Sequence, residues 1–226
     1  MRMGKASFPG TMFALPTTLV AFDLETTGLS PQNDEIIEIG AVKFCFQKVA
    51  GRMDVVEKAS FQSLVKPDRH IPEAASRVNH ITDEMVENAP CARDVLPQFL
   101  RFCGQSSLLV AHNGHSFDAP FLRESCKRVG LSVPRLPVLD SLKISRNVMR
   151  ESPSHKLSEI AGRLSASGEI KLKVETGDLH RALYDCQVLA QVVGRLLIKA
   201  LPEKDLAIDR FQKACEKLAP ISMLDN

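Results

Sequence analysis

No stretch of this sequence is apolar for long enough to cross a membrane. The opening residues, MRMGKASFPGTMFALP, lack an export-type hydrophobic core, because Pro9 and Pro16 interrupt it. Cysteine pairs of the C-x-x-C type are also missing. The six cysteines scatter among mostly apolar neighbours, which reads as free thiols in a reducing cytosol and argues against a zinc site. Neither charge dominates: 29 Lys and Arg stand against 27 Asp and Glu, so any surface for a polyanion must be local. Internal repeats and low-complexity tracts are absent. What remains, 226 residues of which 44% are hydrophobic and 25% charged, is the composition of one globular domain, expected in the cytoplasm with no membrane partner.

Residues 19–25 (LVAFDLE) and 35–46 (EIIEIGAVKFCF) read as strands joined by the turn GLSPQND, and 59–66 (ASFQSLVK) completes an antiparallel meander. The period then changes. Thr82 is an N-cap candidate for DEMVENA, and Val95, Leu96, Phe99 and Leu100 recur at helical spacing. A strand is expected at 107–112, a helix at 116–129, a short strand at 136–140 and a helix at 155–164. The longest helix should begin near Arg181 and stop at Pro202, with a final amphipathic helix at 203–219. Antiparallel strands followed by alternating strands and helices predict an α/β fold: a mixed central sheet with a three-strand meander and helices on both faces. The expected organisation is an extension at 1–16, a domain at 17–200 and a C-terminal helical extension at 201–226.

Asp23 and Glu25 lie two apart in an apolar strand, so the strand period puts both carboxylates on one face, close enough to share a cation. A lone D-x-E is weak, and a solvent-facing strand edge explains it as well. Thr26, Thr27 and Gly28 follow, small residues suited to a sugar or phosphate, or to an ordinary turn. Asp118 opens a helix in AHNGHSFDAPFL, either as a partner of those carboxylates or as a first-turn helix charge. His180 and Asp185, in HRALYD, would lie about 140° apart on a regular helix. They converge only if His180 belongs to the segment leading into the helix, where it could serve as a general base. Glu38 in IIEIGAV looks like a buried carboxylate able to orient a ligand, and Asp140 in VLDSL like a local cap. Arg146, Arg150, His155 and Lys156 form a basic stretch suited to phosphates, or simply a solvated loop.

FDLETTGL, AHNGHSFDAPFL and HRALYDCQ, in this order, resemble the three motifs of the DnaQ-like DEDDh exonucleases, a family on an RNase H-like fold that includes proofreading subunits of bacterial DNA polymerase III. The likeness covers about residues 17–200. It implies a 3′–5′ exonuclease in which Asp23, Glu25 and Asp185 hold one Mg²⁺, Asp23 and Asp118 place a second, and His180 deprotonates the attacking water. Mn²⁺ is expected to substitute. The resemblance also assigns Thr26, Thr27, Gly28, Leu29, His80 and Asn113 to the substrate, although the family usually has Gly where His80 stands.

The substrate it implies is the 3′ end of single-stranded or frayed DNA, in proofreading or repair, with a DNA polymerase subunit as a possible partner. Two alternatives remain: an RNA exonuclease of the RNase T or oligoribonuclease kind, and a catalytically silent module that grips strand ends or a partner. The presence of all five expected side chains speaks against the silent module.

Overall fold

The computed structural model describes residues 18–104, 108–133, 135–171, 181–201, 215 and 221–224. In chain order the elements are β1 (Leu19–Thr26), β2 (Ile36–Val49), β3 (Arg52–Leu64), α1 (Glu73–Asn79), α2 (Asp83–Val86), α3 (Ala92–Cys103), β4 (Leu108–Ala111), α4 (Asp118–Arg128), β5 (Pro137–Asp140), α5 (Ser141–Val148), α6 (Leu157–Ala166), α7 (Ala182–Ala200) and β6 (Ile221–Met223). The strands form one mixed sheet in the order β3-β2-β1-β4-β5-β6. Pairs β1–β2, β2–β3 and β5–β6 are antiparallel, while β1–β4 and β4–β5 are parallel.

Alternation along β1 sorts the two cores. Val20, Phe22 and Leu24 pack with α3 and α4 through Val95, Phe99, Phe121 and Leu122. Leu19 and Ala21 face the other way, onto Ile144, Ile160, Leu189 and Val193 of α5, α6 and α7. Asp23 and Glu25 continue the second series, so the period of the strand aims both carboxylates at the α7 side. A smaller cluster of Ile37, Ile71, Ile81 and Val86 anchors α1 and α2.

The meander and the longer helices lie where the sequence predicts them. β3 is longer than expected because charged residues such as Arg52, Asp54, Glu57 and Lys58 fill its exposed positions, which an edge strand tolerates. The hairpin turns at Ala50 and Gly51, both at positive φ, 49° and 81°. Thr82 stands at the N-cap of α2 but supplies no capping bond; its hydroxyl instead bonds the Glu84 carboxylate. α1, α5 and β6 are additions to the sequence reading. The expected extension at 1–16 and most of the helix expected at 203–219 lie outside the described residues, but the chain beyond them contributes β6 to the sheet. Among the described residues, no helix is long and apolar enough to cross a membrane.

Candidate active site

β1, β4 and β5 end at the same edge of the sheet, and the candidate site is built there. Asp23 and Glu25 on β1 and Asp185 in the first turn of α7 each offer an oxygen within 4.8 Å of the other two, the geometry of a divalent-cation cluster. Asp118, the first residue of α4, is 2% exposed, and its Oδ1 has no hydrogen-bond partner among the described residues. A buried carboxylate oxygen left unpaired is costly unless a cation or a proton compensates it.

Mutual repulsion makes the same point. Burial first, and then the charges of Asp118, Glu25, Asp185 and Glu38, push Asp23 well above the usual carboxylate range. Glu25 is raised to about 8 by burial, then by Asp185, Glu38 and Asp118, against a lowering by Arg181. Burial lifts Asp118 to about 7, although backbone N–H groups of Asp118 and Leu24 favour its charged form. Carboxylates so arranged hold protons or bind cations. The orphaned Asp118 oxygen and the three converging ligands therefore fit divalent metal.

Two buried carboxylates outside the cluster position its parts. Glu38, fully buried, pairs in register with Glu25. It accepts from Gln62 Nε2 (2.9 Å), Arg181 Nη2 (2.8 Å) and Nε (3.1 Å), and the backbone N–H of Ala182 (3.2 Å). Arg181, at the N-cap of α7, offers no cap of its own, so a carboxylate from another strand closes the helix end and fixes the turn that carries Asp185. Gly40, opposite Asp23 in register, permits this approach, since a Cβ there would come within 2.5 Å of Ala182 O and Leu183 N. Asp140 is 1% exposed and does more than cap locally. Its Oδ1 accepts from Leu142 N at the start of α5 and also from Asn113 N, both at 3.0 Å, which ties the loop before Asp118 to β5.

The residues expected at the substrate lie around this edge. Thr26 and Thr27 are buried, and their hydroxyl protons point inward, Thr26 Oγ1 to Gly28 O (2.6 Å) and Thr27 Oγ1 to Asp34 Oδ1 (3.4 Å). A Cβ at Gly28 would meet the Asp34 carboxylate and have to displace it. Leu29 is 85% exposed on a loop held by Arg69, which donates to Asn33 O, and by Arg128, which donates to Pro31, Gln32 and Asp34 carbonyls. His80 ends α1 in the left-handed conformation (φ 58°), a conformation that glycine adopts without strain. Its neighbour Asn79, which the sequence reading did not select, is buried and donates from Nδ2 to Thr26 O (3.2 Å), joining α1 to the end of β1. Asn113 is exposed at φ 65°. His180 lies outside the described residues, next in sequence to the anchored Arg181. Gly40, Asp140 and Arg181 were not selected from sequence as site-building residues. Only Gly40 carried a signal, an isolated glycine inside a strand pattern, which marks close backbone approach.

A family model described as Exonuclease matches residues 20–193. The DNA polymerase III PolC-type protein of Caldanaerobacter subterraneus subsp. tengcongensis is 37% identical over 186 residues, 82% of this chain and 12% of that protein. Its counterpart in Thermotoga maritima is 40% identical over 181 residues, covering 80% of this chain and again 12% of the relative. The chain thus spans a small part of the length of these relatives. Among solved structures, exonuclease X in complex with 5′ overhanging duplex DNA matches with a TM-score of 0.56 and 26% identity, over 84% of this chain and 97% of that one. E. coli exonuclease I in complex with a dT13 oligonucleotide shares the fold, with a TM-score of 0.63 at 16% identity over 81% of this chain and 41% of that one.

Proposed function

We propose, from the premise that the chain belongs to the exonuclease family whose model spans residues 20–193, that it is a metal-dependent 3′–5′ exonuclease of the DEDDh kind acting on single-stranded or frayed DNA ends. The observation that carries this reading is the convergence of Asp23, Glu25 and Asp185 beside the unpaired, buried oxygen of Asp118. Asp23, Glu25 and Asp185 would hold one cation, and Asp23 with Asp118 a second. Bound there, Mg²⁺ or Mn²⁺ supplies charge stabilisation of the phosphoryl oxygens and acidifies water.

The chain's own groups do the rest. His180 takes the proton of the attacking water in its neutral form, which an ordinary imidazole largely holds near neutral pH. Glu38 and Arg181 keep the first turn of α7 in register with β1, so Asp185 is preorganised. The loop bearing Leu29, clamped by Arg69 and Arg128, offers a rigid surface to the terminal nucleotide. The product is a nucleoside 5′-monophosphate. Similarity to PolC-type polymerases supports DNA as the substrate and proofreading or repair as the setting, with a polymerase as partner.

The test is incubation with single-stranded DNA and matched RNA, labelled at the 3′ or 5′ end, with Mg²⁺, Mn²⁺ or EDTA, alongside Asp23→Ala. Stepwise loss from the DNA 3′ end, abolished by EDTA and by the substitution, is the expected result. Preference for RNA would move the chain to RNA turnover, and absence of cleavage on both would leave a strand-end binding module.

A further inference from the structure

A strand whose end enters a group of four carboxylates brings more negative charge towards them, so cations free of internal acidic partners are needed close by. Several of the described cations on this side of the molecule are engaged. Arg181 pairs with Glu38, Arg69 and Arg128 bind loop carbonyls, and Lys127 pairs with Glu124. α5 is different. It begins at Asp140, whose carboxylate also holds Asn113 N, so the helix and the loop preceding Asp118 are fastened at one point.

Lys143 Nζ lies 2.7 Å from His115 Nδ1 in that loop. The other ring nitrogen, Nε2, donates to Val138 O at 3.0 Å, which leaves Nδ1 to accept from Lys143, and Lys143 has no carboxylate partner among the described residues. One turn further on, Arg146 shares the helix face of Lys143. It lies near enough to His112 to contribute, after burial, to lowering that imidazole. Arg150 continues the series just past the helix. Ser141, Ile144 and Ser145 occupy the buried side of α5, whereas Arg146 and Arg150 are exposed and have no acidic partner among the described residues, Arg150 donating from Nε to Asn147 O (3.3 Å) with the rest of its guanidinium open. His155 Nδ1, 3.1 Å from Ser145 Oγ, pins the following loop to the same helix, with Lys156 exposed beside it.

We propose that the surface made by Lys143 and Arg146 of α5 and Arg150 just beyond it binds the phosphate backbone of the strand leading to the cleaved end. The inference rests on the exonuclease reading above. Contacts of this kind position a strand without reading its sequence, and they make affinity salt-dependent.

The test uses Arg146→Gln/Arg150→Gln, both exposed substitutions, with Arg52→Gln/Lys58→Gln on the edge strand β3 as the control. Binding of a labelled single-stranded oligonucleotide is titrated against salt in an Asp23→Asn background, and hydrolysis of a dinucleotide is followed with Asp23 intact. The α5 pair should reduce the slope of log K against log salt by about 1.4, two phosphates' worth, and leave dinucleotide hydrolysis unchanged. The β3 pair should change neither. An α5 slope equal to that of the parent, or dinucleotide hydrolysis falling in step with binding, would overturn the proposal. Failure of the parent with Asp23 intact to hydrolyse both the dinucleotide and the oligonucleotide would sink the exonuclease reading, whereas the salt slope decides the α5 surface separately.

Discussion

Gly40 of β2 lies against the backbone of Ala182, so closely that a side chain at 40 would overlap the first turn of α7. Asp23 is the register partner of Gly40, and Asp185 stands three residues after Ala182. The missing side chain therefore sets the distance between two metal-ligand candidates on different elements.

Gly40→Ala should lower stability by about 1–3 kcal/mol, the usual cost of overpacking a buried contact. It should also weaken metal affinity, because the extra methyl pushes α7 outward from β1. Thermal unfolding with EDTA and with Mn²⁺ separates the two effects. The metal-induced rise in Tm should shrink in the variant; an unchanged rise would mean that α7 approaches β1 for other reasons.

Glu38→Gln keeps the shape of the side chain but removes the charge facing Arg181 and Ala182 N. The exposed part of Arg181 limits what the ion pair contributes to stability, so the effect should fall mainly on turnover, by about 10–100-fold, as for other groups that support a ligand. KM for a short oligonucleotide should change little. A loss confined to KM would place Glu38 in substrate binding instead.

The mixed sheet, its meander and the assignment of Asp23 and Glu25 to one face were legible because each rests on local periodicity and on a short motif. Glu38 was readable as a buried carboxylate, but its partner Arg181 was not, since 143 residues separate them and only the folded chain brings them together. Asp140 was legible as a cap and not as the anchor of Asn113, for the same reason. β6 escaped notice because three residues are too few to display a period. α5 was missed because its charged residues and serines, in SLKISRNV, dilute a short apolar stripe.

The metal-free site should make stability fall as pH rises. Glu25 is raised from 4.5 to about 8 and Asp118 from 3.8 to about 7, so the folded state keeps protons that the unfolded chain releases. Their contribution is complete below pH ~4 and is lost progressively up to pH ~8. With EDTA, Tm should be lower at pH 8.5 than at pH 5.5, and Mn²⁺ or Mg²⁺ should restore it most at the higher pH. Equal Tm values at the two pH values without metal would show that burial and neighbouring charge do not hold protons on these carboxylates in solution.

Asp118→Asn separates the stability of the site from its use. The buried carboxylate with an unpaired oxygen is a liability in the metal-free fold, and neutralising it removes its repulsion of Asp23. With EDTA at pH 8.5 the variant should therefore unfold at a higher temperature than the parent, by about 2–4 °C for each kcal/mol relieved. Hydrolysis with Mg²⁺ should nevertheless fall at least about 100-fold, the upper range for groups that merely support a ligand. The midpoint of metal-dependent Tm elevation should move to higher Mn²⁺ concentration. Such opposite movement of stability and activity is expected of a charge kept for binding a cation, and a variant that lost stability in EDTA as well as hydrolysis with Mg²⁺ would mark Asp118 as a structural residue of α4.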